Sequence, residues 1–239
     1  MPVPPESRFK FFVYVIESPS APDLYHKRSE SEMIKKALSL HGIHCVTRLT
    51  ISKESFEAAI KIGLPEEMKF FSGLTPVLHI SAHGEQNGLQ LSNADEITWH
   101  ELKNLLLPIN KALNGGLLLC MSSCKGFSAC RMAMNSNNDA HPFFAVIGNT
   151  KEPTWSDTAI AYSSFYHLIA KGEYIIDAVE AMRKASGNKD FTNATAMEAQ
   201  KAYIDITNRE NALEAQIELQ KEAKKEPLSP MVKKLENKN

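Results

Sequence analysis

Two periodicities alternate along this chain. "KFFVYVI" (10–16) is a near-continuous apolar run, as a strand covered on both faces requires. "SESEMIKKALSLHG" (29–42) has the helical period and closes on Gly42. "IHCVTRLTI" (43–51) alternates with a period of two, and "SKESFEAAIKIG" (52–63) predicts a helix opening on Ser52 as its cap. "TPVLHISA" (75–82) is a third strand, and "NGLQLS" (87–92) is the second arm of a short β excursion. "TWHELKNLLLPINKALNGG" (98–116) predicts a helix bent at Pro108. "LLLCMSS" (117–123) is a fourth strand, "GFSACRMAMN" (126–135) a short helix and "HPFFAVIGN" (141–149) a fifth strand. Two amphipathic helices follow, 156–172 and 173–187, each ended by glycine.

Strands separated by helices build βαβ units. The expected fold class is therefore α/β, a three-layer α/β/α sandwich around a mostly parallel sheet. From 189 the character changes. "NATAMEAQKAYIDITN" (193–208) is helical, and the charge-rich remainder with Pro227 and Pro230 reads as an exposed helix and a loose tail. The expected organisation is one domain over 1–188 and a helical, charged extension over 189–239.

Composition narrows the classes. The chain has 239 residues, 43% of them apolar, enough for a sizeable core. Its net charge of -1, with no basic stripe, argues against nucleic acid or an anionic membrane as partner. "MPVPPESRFKFFVYVIES" lacks the pattern of a signal peptide, and no apolar run reaches the roughly 18 residues that span a bilayer. A cytoplasmic location is expected, where the four cysteines (Cys45, Cys120, Cys124 and Cys130) stay thiols.

Several chemistries are absent as motifs: the G-x-S-x-G elbow, the phosphate loop, the dinucleotide turn and H-E-x-x-H. "CMSSC" is C-x3-C, with no second pair at ligand spacing, so no metal or cofactor is expected. What remains lies at two strand ends. In an open parallel sheet, functional groups gather at the carboxyl ends of strands. "VLHISAHGE" puts His83 just past the third strand, and "LLLCMSSCKG" puts Cys124 just past the fourth. On neighbouring strands the two side chains share one edge, and histidine is the usual base for a thiol. Gly84 and Gly126 allow close backbone approach, so the N–H groups of Gly84 and Cys124 are candidates for an oxyanion hole. Cys124 also precedes a helix start, whose field favours an anion. Cys120 lies inside its strand and is expected to pack, as are Cys45 and Cys130. His79 is mid-strand and expected to be a satisfied core residue. His26, His41, His44, His100, His141 and His167 belong to no matching constellation.

At these residues the sequence resembles the caspase-like cysteine peptidases, and among them the CHAT group related to separase. The resemblance covers about 8–188. It is carried by "VLHISAHGE", "LLLCMSSCKG", "FFAVIGNTKEPTWSD" and "AIAYSSFYHLIAKGEYIIDAVEAMRKA", with His before Cys at a separation of 41 positions. It implies a caspase-haemoglobinase fold and a Cys–His dyad, with His83 as general base and acid and Cys124 as nucleophile. It further implies cleavage of a partner protein, such as a gasdermin-type pore former, in a bacterial antiviral or cell-death system. "SSCKG" departs from the caspase cysteine motif. Sensing is expected to need an activating partner chain or another trigger.

In the separase-like branch an acidic residue after the fifth strand reads a basic substrate side chain. Asp157 falls near that position, with capping of the following helix as its competing role. Trp155 is a candidate groove wall, and Glu85 reads as a solvated loop residue. "MNSNNDAH" (134–141) is polar enough to be a processing site, although such loops are usually connections. Two other functions fit the same pattern: a catalytically idle caspase-fold scaffold, and a cysteine amidase.

Overall fold

The computed structural model describes residues 10–134 and 140–223. Expectations for the first nine residues, for 135–139 within the polar loop and for the tail beyond 223 lie outside the described residues.

The sheet takes its order from the alternating elements. Strands β1 (Phe11–Ser18), β2 (Cys45–Leu49), β3 (Thr75–Glu85), β6 (Leu118–Ser122), β7 (Ala145–Asn149) and β8 (Phe191–Thr195) lie in the order β2-β1-β3-β6-β7-β8. All neighbours are parallel except β7 and β8. Two short strands, β4 (Gly88–Gln90) and β5 (Glu96–Thr98), extend the end of β3 as an antiparallel excursion. The strand period of two divides each strand between two cores. Phe12, Tyr14 and Ile16 of β1 join Leu78, Ile80, Leu119 and Met121 on one face. There they meet α3 (Lys53–Ala58), α4 (Leu64–Phe70) and α5 (Trp99–Ala112), while the short helices α1 (Ala21–Tyr25) and α6 (Arg131–Met134) follow β1 and β6 along the chain. Phe11, Val13, Val15, Val77, Leu118 and Cys120 point the other way, against α2 (Glu30–Ser39), α7 (Trp155–Lys171) and α8 (Ile175–Ser186). This is the expected α/β/α sandwich with its mostly parallel sheet.

Three elements differ from the sequence reading. The helix expected over 52–63 does not end at Gly63. It passes through a π-helical turn, Ala59–Gly63, into α4. Gly63 has helical dihedrals (φ -61, ψ -48), and its bare α-carbon faces the Tyr14 hydroxyl, which donates to Ala59 O at 2.8 Å. The glycine is there for close approach, not for termination. The second difference is β8, within a stretch read partly as helix. It pairs antiparallel with β7, and the helix α9 (Ala196–Ala223) starts after it. The boundary expected at 188 falls before this strand, whereas the first compact unit runs Met1–Gln200. Third, His83 lies inside β3, in its antiparallel extension opposite Gln90, rather than past the strand.

The second compact unit, Lys201–Asn239, is over its described part the remainder of α9, with Ile204, Ile206, Leu213 and Ile217 exposed. Among the described residues no helix is long and apolar enough to cross a membrane.

Candidate functional site

The carboxyl ends of three adjacent strands meet at one point. The parallel pairing of β3 ends at Ala82 opposite Ser18 of β1, and at Ser81 opposite Ser122 of β6. Beyond it, β3 turns into its hairpin arm and presents His83 to solvent. β6 stops at Ser122, and Ser123 and Cys124 leave the sheet. Lys125 then adopts left-handed dihedrals (φ 52, ψ 26), which cost a side-chain-bearing residue on the order of 1–2 kcal/mol. Its N–H donates to Lys151 O at 2.6 Å, so the loop after β7 holds the conformation.

The histidine and cysteine segments touch. A β-carbon on Gly84 would overlap the Cys124 carbonyl oxygen and lie 2.8 Å from Ser123 Cβ. One on Gly126 would lie 2.6 Å from Met121 O. The bareness of both glycines lets chain pack closely against chain.

His83, Cys124 and Trp155 line one cavity of about 40 Å³, together with Glu30, Ser81 and Ser122. Cys124 is half-buried and Trp155 likewise, while Glu85 is exposed. Asp157 is not among the lining residues. It closes a capping box at the start of α7, where Thr154 Oγ1 accepts from Asp157 N and Thr154 N donates to Asp157 Oδ2. Asn188 Nδ2 also donates to that oxygen at 3.2 Å. The capping role is the one its geometry fills.

The acid that does reach the cavity is Glu30, at the first turn of α2 and 3% exposed. Ser81 Oγ donates to Glu30 Oε2 at 2.6 Å, and Ser122 Oγ lies 2.7 Å and 2.8 Å from its two oxygens. The His79 imidazole stands beside it, with Nε2 3.8 Å from Oε2 and Nδ1 2.9 Å from the Tyr166 hydroxyl. Burial works against the charge, but His79 and the two hydroxyls prevail and hold the Glu30 carboxyl below the usual range. A second buried acid, Glu17 of β1, anchors that turn. It accepts from Glu30 N at 2.6 Å, Ser31 Oγ at 2.6 Å and Ser29 Oγ at 2.7 Å. Sequence reasoning missed Glu30 because a glutamate in a first helical turn is ordinary. Its placement is visible only once α2 is known to start above the ends of β1, β3 and β6. His79 is correspondingly only half satisfied, since its Nε2 has no hydrogen-bond partner.

The four thiols separate by environment. Burial pushes Cys45 and Cys120 up to about 12, and also raises Cys130. Burial pushes the Cys124 thiol up too. The Glu152 carboxylate adds to this, and the Lys125 ammonium pulls against both. The expectation that a helix start would favour the thiolate is corrected here: Gly126–Cys130 is a five-residue 3-10 turn, too short for such a field, and burial outweighs it. Of the histidines given no constellation, His41 and His167 form a pair, Nε2 to Nδ1 at 2.8 Å. Among the described residues no group of three or more His, Cys, Asp or Glu could hold a metal ion.

No model of a protein family matches the chain, and no curated protein matches it. Solved structures do. A secreted C11 cysteine protease from Bacteroides thetaiotaomicron, solved with an irreversible peptide inhibitor, is similar over 80% of this chain and 67% of its own, with a TM-score of 0.51 and 9% identity. Porphyromonas gingivalis RgpB, solved as a complex of its pro- and mature domains, matches 77% of this chain at 14% identity, with a TM-score of 0.48. The Arg-specific cysteine proteinase gingipain R (RgpB) matches the same share at 14% identity and a TM-score of 0.47. This chain spans 45% and 44% of those two chains, less than half of their length. The likeness to the C11 protease shows a shared fold, that of the caspase-like cysteine proteases.

Proposed function

We propose that this protein is a cysteine endopeptidase in which His83 and Cys124 act as a dyad. The observation that carries the reading is their common cavity at the ends of adjacent strands, with Gly84 packed against Cys124. Burial raises the Cys124 thiol, which favours a step in which His83 takes its proton as the sulfur attacks the scissile carbonyl. The C–S bond forms, the carbonyl electrons move to oxygen, and the N–H groups of Gly84 and Cys124 receive the oxyanion. Collapse breaks the C–N bond, and His83 passes its proton to the leaving amine. Water then attacks the thioester with His83 as base, releasing the acid and restoring the thiol.

The resemblance of 8–188 to the CHAT group supports a partner protein as the substrate, cut by limited proteolysis in a bacterial antiviral or cell-death pathway. A cytoplasmic setting and an activating sensor chain are part of the same proposal. Trp155 walls the groove. Incubating the full-length protein and its Cys124→Ala variant with a proteome-derived peptide library tests the reading. New termini generated by the first and absent with the second support it; cleavage that persists in Cys124→Ala overturns it.

A further inference from the structure

His41 and His167 stand 126 positions apart in the chain, yet His41 Nε2 and His167 Nδ1 lie 2.8 Å from one another. The peptidase reading makes no use of either. Both are carried by packed elements. Ile34 and Leu38 of α2 share a buried core with Phe165, Tyr166 and Ile169 of α7. His41 follows the end of α2, where its N–H donates to Leu38 O at 2.9 Å and Gly42 turns the chain at φ +67. His167 belongs to the second half of α7. Donor atoms on such rigid elements are held more precisely than donors on loops.

One ring now donates a hydrogen bond to the other, and the tautomer decides which. A metal ion can replace that hydrogen at little cost. The donating ring loses its inner proton to water and gains one at its outer nitrogen, so both inner lone pairs become ligands with no net proton release. Distance then selects the metal. Metal–imidazole bonds run about 2.0–2.1 Å, so two of them meeting across 2.8 Å subtend roughly 85–90° at the ion. A tetrahedral centre would need the two nitrogens roughly 3.3–3.4 Å apart. A near-right angle is the cis angle of a tetragonal centre, the preference of Cu²⁺ and Ni²⁺. The rings are not stacked: their planes cross at 60° with centroids 4.7 Å apart.

The surroundings narrow the choice further. Both rings line one groove of about 640 Å³, which leaves room for water at the remaining coordination positions. Among the described residues that line it there is no carboxylate and no thiol. Calcium and magnesium, which want oxygen, and thiophilic ions therefore find no donor set, whereas imidazole suits copper and nickel. Lys184 reaches the groove, but its ammonium is paired with Glu180 at 3.6 Å.

We propose that His41 and His167 form a binding site for a divalent transition-metal ion of tetragonal preference, Cu²⁺ or Ni²⁺. The two imidazoles take cis positions and water completes the shell, so the site is open. The bound ion ties the end of α2 to α7. The site is independent of the peptidase reading and stands or falls on metal binding alone.

Metal-free full-length protein would be titrated with Ni²⁺ and, separately, with Zn²⁺ by calorimetry. Less than one equivalent of Cu²⁺ would be added for electron paramagnetic resonance. One Ni²⁺ per chain is expected, bound more tightly than Zn²⁺, and a Cu²⁺ signal split by two imidazole nitrogens. His41→Ala and His167→Ala should each weaken Ni²⁺ binding at least about tenfold and leave a single coupled nitrogen. His100→Ala, which removes a histidine outside the groove that contacts Asn104 at 3.1 Å, should change neither. Absence of Ni²⁺ binding in the parent overturns the proposal. So does binding that survives both alanine variants, binding that falls equally in His100→Ala, or a tighter hold on Zn²⁺ than on Ni²⁺. If one alanine variant fails to fold by its thermal melt, the other decides.

Discussion

The α-carbon of Gly84 abuts the carbonyl of Cys124, so closely that no side chain fits between them. This contact couples the strand that carries His83 to the loop that carries the thiol. It makes their separation a property of the sheet rather than of two independent loops.

Gly84→Ala should therefore damage both stability and site. The added methyl meets backbone, which cannot rotate away, so the two segments must part. An overpacking cost of about 1–3 kcal/mol is expected in urea denaturation. Alkylation of Cys124 by a peptidyl electrophile should slow as well, because the His83–Cys124 spacing opens. A variant as stable and as reactive as the parent would remove the contact from the account.

The thiol itself predicts a pH profile. Burial and Glu152 raise the Cys124 pKa, so the thiolate should appear only above the range of an ordinary cysteine. Iodoacetamide alkylation of Cys124, followed by peptide mapping, should rise with pH to a correspondingly high midpoint. Glu152→Gln removes a raising charge and should move that midpoint down. Lys125→Gln removes a lowering charge and should move it up.

Acid stability should report Glu30. Its folded carboxyl is held below the usual value, so the stability it contributes is present above the unfolded pKa and disappears as pH falls through the folded one. Denaturation series of the parent and Glu30→Gln should accordingly show a stability difference that shifts against the parent on acidification. Two parallel series would contradict a perturbed carboxylate at this position.

Asp157→Ala should cost stability without touching specificity. Loss of its hydrogen bonds to Thr154 N and Asn188 predicts about 0.5–1.5 kcal/mol in chemical denaturation. The ranking of substrate peptides should stay as it is in the parent; a changed ranking would restore Asp157 to the pocket.

The parts of the fold that the sequence announced are those with strong periodicity. β1, β3 and β6 are apolar on both faces because helices cover both, and the run of apolar residues says so directly. β8 was silent for the opposite reason: "FTNAT" has a single fully buried side chain, Phe191, and its pairing with β7 comes from backbone hydrogen bonds at a sheet edge. Gly63 misled because a glycine after a helical pattern reads as a stop, whereas here it makes room for Tyr14. In the site, Cys124 was legible as a residue leaving the end of β6, whereas His83 was read past its strand and lies instead in the hairpin extension of β3. Glu30 was not legible, since what distinguishes it is burial above three strand ends far away in sequence. Asp157 carried two compatible readings in one dimension, and the bond from Thr154 N shows the role that its geometry fills.

Labelling of the full-length protein with peptidyl acyloxymethyl ketones that vary in the residue next to the ketone, read by intact mass and peptide mapping, tests the dyad most directly. The account predicts a single adduct on Cys124, with Cys45, Cys120 and Cys130 unmodified, and a rate that falls about 10²–10⁴-fold in His83→Ala. Adducts shared among the cysteines, or a rate unchanged by His83→Ala, would contradict it.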